Sequence, residues 1–406
     1  MNFPFYLAKR ITLTGKRTFS KLIVGVAIGT IAVGLSAMIL TLAILNGFKG
    51  EVTSKQRGFF GDILLTKNDI NASYELAPFV LPAEQKNLIL EQKGVVALQP
   101  FATKTGIITV QQEVEGVVLK GIDDQYDQRY LQKALIEGEL LDFTDPAKSI
   151  SQVLISRRTA NRLQLSVGDD FVMYFVQEPL RLRKLVIQGI YHTGSEELDQ
   201  LYVLGSMDLI RRLNEWDSNQ VGGYELMIHD FKQLSAIQEA LDTQLSMDLQ
   251  TTSIRQTMPE VFQWLDLLDA NPQVIFVLML VVAVINMISA LLILILERTQ
   301  MIGILKALGF SEHGLRKVFL YQAAYLLGIG LLIGNALALA LYYFQKTTQF
   351  IRLDEASYYV SYVPVQIGWA EVAGLNAVLI VLTLVVVLVP NYLIGKIQPI
   401  KAIQFK

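Results

Sequence analysis

The chain has 406 residues, of which 52% are hydrophobic and 18% charged, with a formal net charge of −2 and a mean hydropathy of +0.40. Roughly 25% charge is usual for a soluble globular domain, so the composition points away from one, and the near-neutral balance supplies no basic surface for nucleic acid. The absence of cysteine excludes disulfides, cysteine nucleophiles and thiolate metal sites.

The apolar excess is concentrated in four runs, residues 22–45, 272–296, 318–344 and 372–394, none of which contains Asp, Glu, Lys, Arg or His. Each is longer than the roughly 20 residues a helix needs to cross a bilayer, so four transmembrane helices are expected. Residues 1–21 carry Lys9, Arg10, Lys16, Arg17 and Lys21 and no acid. They alternate basic with apolar (Phe3, Phe5, Tyr6, Leu7) and read as an amphipathic helix on the inner leaflet, a disordered basic tail being the alternative. The first run is too long for the 7–15-residue apolar core of a signal peptide and reads as an uncleaved anchor. Lys and Arg flank the chain asymmetrically: residues 1–21, the 297–317 loop and the 395–406 tail are net basic, and the 345–371 loop is net acidic. That pattern expects both termini in the cytoplasm and the 345–371 loop outside, with residues 46–271 forming one large external domain.

The external domain reads as α/β or α+β. Residues 62–66, 106–121, 152–156, 201–204 and 224–229 are β-rich. Residues 157–165, 206–213 and 231–245 read as helices, and 259–269 as a stalk leading into the second apolar run. Residues 171–176 and 184–191 read as a hairpin joined by the turn from Gln177 to Arg183.

Chemistry-bearing motifs are scarce. There is no G-x-x-x-x-G-K-[ST], H-E-x-x-H or G-x-S-x-G, so the chain has no P-loop, zincin or serine-hydrolase signature and is not expected to be an enzyme. His192, His229 and His313 have no partner at metal-ligand spacing and read as ordinary histidines. No cofactor or metal is expected. Within the apolar runs, Gly25/Gly29 and Gly330/Gly334 form G-x-x-x-G faces suited either to packing within the chain or to a second copy. Asn286, Asn335 and Asn376 place one amide in each of the last three runs, suited to hydrogen bonds between helices.

The charged island between the second and third runs reads Glu297-Arg-Thr-Gln-Met-Ile-Gly-Ile-Leu-Lys-Ala-Leu-Gly-Phe. Met301, Ile304, Leu305 and Leu308 recur at i, i+3, i+4 and i+7, one face of a short helix. With one run, a large external domain and three further runs, this stretch resembles the FtsX-like, MacB-type permeases of ABC transporters, most nearly the transmembrane subunit of lipoprotein-releasing (Lol-type) systems. The tail from Pro399 to Ile403 and the Gln152–Ser156 to Gly168-Asp169 region share the resemblance, which extends over the whole chain. It implies a MacB-like periplasmic core over residues 46–271 and an FtsX-like permease domain over 272–400.

It also implies a dimer with a second copy or a paralogue, two copies of a separate ATPase that binds the ATP, and an inner-membrane location. Residues Met301, Gly303, Ile304, Leu305, Lys306, Leu308 and Gly309 would form the helix that meets the ATPase. Met38, Thr41, Leu42 and Leu45 would face Ile275, Phe276, Met279 and Val282 across a cavity for a lipoprotein's acyl chains. The turn with Pro179, Leu180 and Arg181 corresponds to a loop that hooks a periplasmic carrier in such systems, but here it is short, so carrier docking and a plain turn both stand. Besides lipoprotein extraction, the resemblance leaves two other functions open: MacB-type mechanotransmission driving export of a periplasmic substrate, and FtsX-like control of cell-wall hydrolases.

Overall fold

The computed structural model describes residues 6, 18–69, 73–111 and 113–388. Most of the expected surface helix at residues 1–21, the 395–406 tail and the end of the fourth apolar run lie outside them. The chain divides into two compact units. A helical unit comprises Met1–Lys49, Trp264–Arg352 and Tyr362–Lys406, and a sheet unit comprises Gly50–Gln263 and Leu353–Ser361.

Among the described residues, four helices are long and apolar enough to cross a membrane: Leu22–Phe60, Pro259–Glu297, Glu312–Thr348 and Trp369–Val386. Their lipid-type composition does not leave them loosely associated. One cluster draws Ile31, Met287, Leu291, Ala323, Leu327 and Val386 from all four helices. A second gathers Leu35, Met38, Ile39, Ala338 and Leu379. Close packing needs small residues where backbones meet. A Cβ on Gly330 would lie 2.7 Å from Ile31 Cγ2, and one on Gly334 would lie 2.9 Å from the Ala32 carbonyl oxygen. This G-x-x-x-G pair is therefore an in-chain contact with the first helix. Gly25 and Gly29 have open space around them instead. Asn335 and Asn376 exchange side-chain amide hydrogen bonds of 2.9 and 3.2 Å, and each also donates to the carbonyl four residues before it.

Among its described residues the sheet unit holds ten strands: β1 (Ile63–Lys67), β2 (Val95–Val110), β3 (Glu113–Ile122), β4 (Leu135–Gly138), β5 (Gln152–Ser156), β6 (Asp170–Phe175), β7 (Arg181–Tyr191), β8 (Tyr202–Ser206), β9 (Gly223–Ile228) and β10 (Leu249–Ser253). The order is β10-β1-β9-β2-β3-β8-β5-β7-β4, with β6 pairing β2 and β7. Among the described strands only β3–β8 and β5–β7 run parallel. The α/β expectation is corrected accordingly. Successive strands such as β2–β3 and β6–β7 return through tight connections too short for a parallel crossover, which gives a mainly antiparallel, α+β arrangement. Serines at strand ends start the helices that follow. Ser156 accepts from the Thr159 amide, and Ser253 forms a capping box with Gln256.

The first long helix, Thr18–Phe60, is anchored to the sheet at its C-terminal end. Lys120, on β3, is almost fully buried and donates to the Phe59 carbonyl, which the end of the helix leaves without an intrahelical donor. Its ammonium also lies 2.6 Å from Glu225 and 3.1 Å from the Tyr126 hydroxyl, with the Phe59 ring centroid at 4.8 Å. Tyr126 in turn donates to Glu225 at 2.9 Å. Burial pushes the Lys120 pKa down, and the Glu225 charge works against that shift. Beside this group Arg57 forks onto Asp62, and Asp62 accepts the Ile228 amide at 2.7 Å.

Two outcomes follow for stability. Lys120→Met strands the Glu225 carboxylate and should cost about 3–5 kcal/mol, whereas Lys120→Met with Glu225→Leu should recover part of the loss. Thermal unfolding of the detergent-solubilised chain reads both. Gly334→Leu should destabilise the helical unit by about 1–3 kcal/mol through overpacking, while Gly29→Leu should leave the single chain's stability unchanged.

Candidate functional site

The island between the second and third long helices folds as expected. Residues Thr299–Ala307 form a helix, Gly309 follows with φ +87°, and Ser311 caps the helix Glu312–Thr348 by accepting from the Gly314 amide at 3.2 Å. Its apolar residues do not all face one way. Ile302 packs with Ile295, Leu315 and Phe319, with Leu305 at the margin of this cluster, and Gly303 is buried beside it. Ile304 and Leu308 stay open, at 46% and 79% exposure. Met301 is half-buried, Gly309 is exposed, and Lys306 pairs with Glu312 at 2.9 Å. The helix is thus seated on its own bundle through Ile302 and Leu305, and offers Ile304 and Leu308 outward. A charge at Gly303 or Leu305 would test the seat, and only Ile304 and Leu308 isolate the outer surface.

The residues expected around a lipid cavity divide similarly. Met38 is 1% exposed inside its cluster, and Phe276 and Met279 pack against that cluster. The structure therefore brings Met38, Phe276 and Met279 together as a filled contact. Thr41, Leu42 and Leu45 are half-buried, and the Thr41 hydroxyl donates to the Ala37 carbonyl at 2.9 Å. Ile275 and Val282 are exposed, at 37% and 45%.

The hairpin turn is shorter still than its sequence suggests, because β7 begins at Arg181, opposite Phe175. Pro179 and Leu180 are exposed at its tip, with Val176 beside them. Arg181 is held within the sheet unit, 2.5 Å from Glu215 and 3.2 Å from the Arg212 carbonyl. Of the three turn residues, Pro179 and Leu180 are exposed and Arg181 is half-buried.

A site that sequence spacing does not reveal lies at the end of β7. His192 Nδ1 is 2.6 Å from Asp199, and Nε2 is 3.0 Å from Glu355. Asp199 is buried and also accepts from the Thr193 amide and hydroxyl. The partners sit seven and 163 positions from the histidine, so no local motif links them. A sequence signal does exist for the Lys120 group: a lone lysine inside the apolar stretch Val117–Ile122 demands a buried counter-charge. Among the described residues, no group of three or more acidic or histidine side chains is arranged to hold a metal ion.

The chain matches two protein families, the MacB-like periplasmic core domain over residues 24–244 and the FtsX-like permease C-terminal domain over residues 273–399. It belongs to the FtsX-like, MacB-type family of ABC transporter permeases and is a membrane protein. It is similar to the lipoprotein-releasing system transmembrane protein LolC of Neisseria meningitidis serogroup B, at 22% identity over 96% of this chain and 95% of that protein. It is also similar to the lipoprotein-releasing system transmembrane protein LolE of Haemophilus influenzae, at 22% identity over 98% of each chain. The macrolide export ATP-binding/permease protein MacB of Acinetobacter baylyi matches at 22% identity over 77% of this chain and 48% of its own length.

Proposed function

We propose that this chain is the permease subunit of a transporter that extracts lipoproteins from the outer leaflet of the inner membrane, driven by a separate ATPase. The observation that carries this reading is end-to-end similarity to LolC and LolE, against a match to under half of MacB. The chain crosses the membrane four times with both termini in the cytoplasm, an orientation supported by the lysines and arginines of residues 1–21, 297–317 and 395–406. Its domains are the 1–21 surface helix, the spans at 22–45, 272–296, 318–344 and 372–394, the periplasmic core at 46–271 and the cytoplasmic loop at 297–317.

The chain binds no nucleotide; two partner ATPase subunits hold ATP and grip the Thr299–Ala307 helix. Ile304 and Leu308 support this role, since two large apolar side chains held open on a seated helix gain by burial in a partner's groove. A second permease, identical or paralogous, completes the dimer, and the open Gly25/Gly29 face is the small-residue surface left for it. Acyl chains enter beside Ile275 and Val282, whose exposed apolar faces suit them, once Met38, Phe276 and Met279 part. A periplasmic carrier would meet Pro179 and Leu180.

One observation favours a second reading. Met38, Phe276 and Met279 fill the space where acyl chains would sit. A MacB-type exporter, working by movement of its external domain with no lipid entering the bundle, needs no such space.

Reconstitution in proteoliposomes with the partner ATPase and a soluble lipid-binding acceptor tests the proposal. A triacylated lipoprotein should be released on ATP addition and its unacylated form should not; equal handling of both would overturn it. Ile304→Asp or Leu308→Asp should weaken ATPase docking about tenfold or more while leaving the fold intact. ATP hydrolysis should persist without release, measured as the ratio of the two rates.

A further inference from the structure

The segment Leu353–Ser361 lies in the sequence between two long helices of the helical unit, yet it packs as part of the sheet unit. Within it Val360 is buried, at 2% exposure. Side-chain attachments to the rest of the unit centre on Glu355 and Lys55. Glu355 receives Lys55 Nζ at 3.3 Å, and the same ammonium donates to the Tyr359 carbonyl at 2.9 Å. Glu355 also faces His192 Nε2 at 3.0 Å, while His192 Nδ1 faces Asp199 at 2.6 Å.

The histidine geometry carries a chemical requirement. Both ring nitrogens point at carboxylate oxygens, and an ionised carboxylate can only accept. A neutral imidazole has one N–H, so it can satisfy one of the two and must turn a lone pair on the other. Only the imidazolium donates to both. The site is also built to hold this arrangement. Gly194 has φ +79°, and a Cβ there would lie 2.3 Å from Glu355 Oε1 and 2.3 Å from Lys55 Nζ. A side chain would push apart the ion pair that fixes Glu355, so glycine is required twice over, by conformation and by space.

We infer that Asp199, His192 and Glu355 form a proton-dependent latch that holds the Leu353–Ser361 segment against the sheet unit. The latch is closed when His192 is charged and loosens when it is neutral, while the Lys55 contacts persist.

Asp199 raises the His192 pKa above its ordinary value of 6.5, partly opposed by burial and assisted by Glu355. Because the folded pKa is raised, the stabilisation is complete below the ordinary value and is lost as pH rises through the folded one. The latch therefore loosens on the alkaline side. Other charges face the same place. The cleft on one side of His192 is bordered by Arg157, Arg158, Arg162 and Glu196, and Arg158 is paired with Glu196 and Arg162 with Glu115. The cleft on the other side is bordered by Glu51, Lys55, Arg57, Asp127, Arg129 and Lys133. Arg129 is paired there with Asp127 and Arg57 with Asp62. The lysines and arginines keep their charge through the range in which histidine titrates, so His192 is the group that changes state.

The cysteine-free sequence permits a single reporter on the full chain. A nitroxide on Tyr358→Cys, an exposed position in the segment, reads local mobility by electron paramagnetic resonance in detergent or nanodiscs. The spectrum should show an immobilised component near pH 6 that gives way to a mobile one, with a midpoint above the ordinary histidine value of about 6.5. His192→Leu, which can donate to neither carboxylate, should be mobile at every pH. Glu355→Gln should remove the transition while keeping the immobilised component, because a carboxamide can donate to neutral imidazole and accept from the charged form. A pH-invariant wild-type spectrum, or an unchanged transition in either variant, would overturn the latch.

Discussion

The sheet unit is organised around a charge that has no access to water. Lys120 sits in an apolar strand, and an ammonium in such a place is tolerated only if it is paired and its protons are satisfied. Glu225 supplies the charge, Tyr126 bridges the pair, and the Phe59 carbonyl takes a further proton. That carbonyl belongs to the last turn of a helix of 43 residues, so one buried ammonium joins the helix end to β3 and β9. The aromatic rings of Phe59, Phe60, Phe101 and Tyr126 close over it. The attachment lies in the middle of the sheet, where β9, β2 and β3 are neighbours. A purely apolar contact would allow slippage, whereas a capped carbonyl fixes the register between helix and strand.

The sequence made the repetitive features legible. Four uncharged runs could only be long apolar helices, and the β6–β7 hairpin declared itself by two β-rich stretches around a proline turn. Gly309 and Ser311 marked a helix end and a helix start through their own backbone preferences. Features that depend on distant partners were hidden. Strand β10 reads LQTTS, polar enough to pass for a loop, and forms because β1 offers it an edge. The helix Glu196–Leu201, rich in acids, was equally silent, yet it carries Asp199 to His192. The apolar stripe of the Thr299–Ala307 helix was visible, but its division into a seat and an open surface was not. Periodicity gives a face, and only packing decides which residues on it are already covered.

The same distinction applies to the family's shared architecture. This chain pairs a sheet-rich domain with an apolar bundle and keeps its acidic and basic side chains outside the apolar runs. No acidic or basic side chain lies inside them. What fixes their contacts is one amide pair, Asn335 with Asn376, and the glycines Gly330 and Gly334, none of which titrates. Such a bundle is suited to moving cargo or force supplied from elsewhere. In the proposed function, the open pair Ile304 and Leu308 is where that supply enters, and the Phe276 region is where an acyl chain leaves the bilayer.

A photoreactive residue replacing Phe276, in the full complex with its ATPase, addresses this last point most directly. Under ATP turnover it should cross-link a triacylated lipoprotein and spare the same protein lacking its acyl chains. Active transport with no acyl-dependent cross-link at this position would contradict extraction through the bundle and leave force transmission as the chain's work.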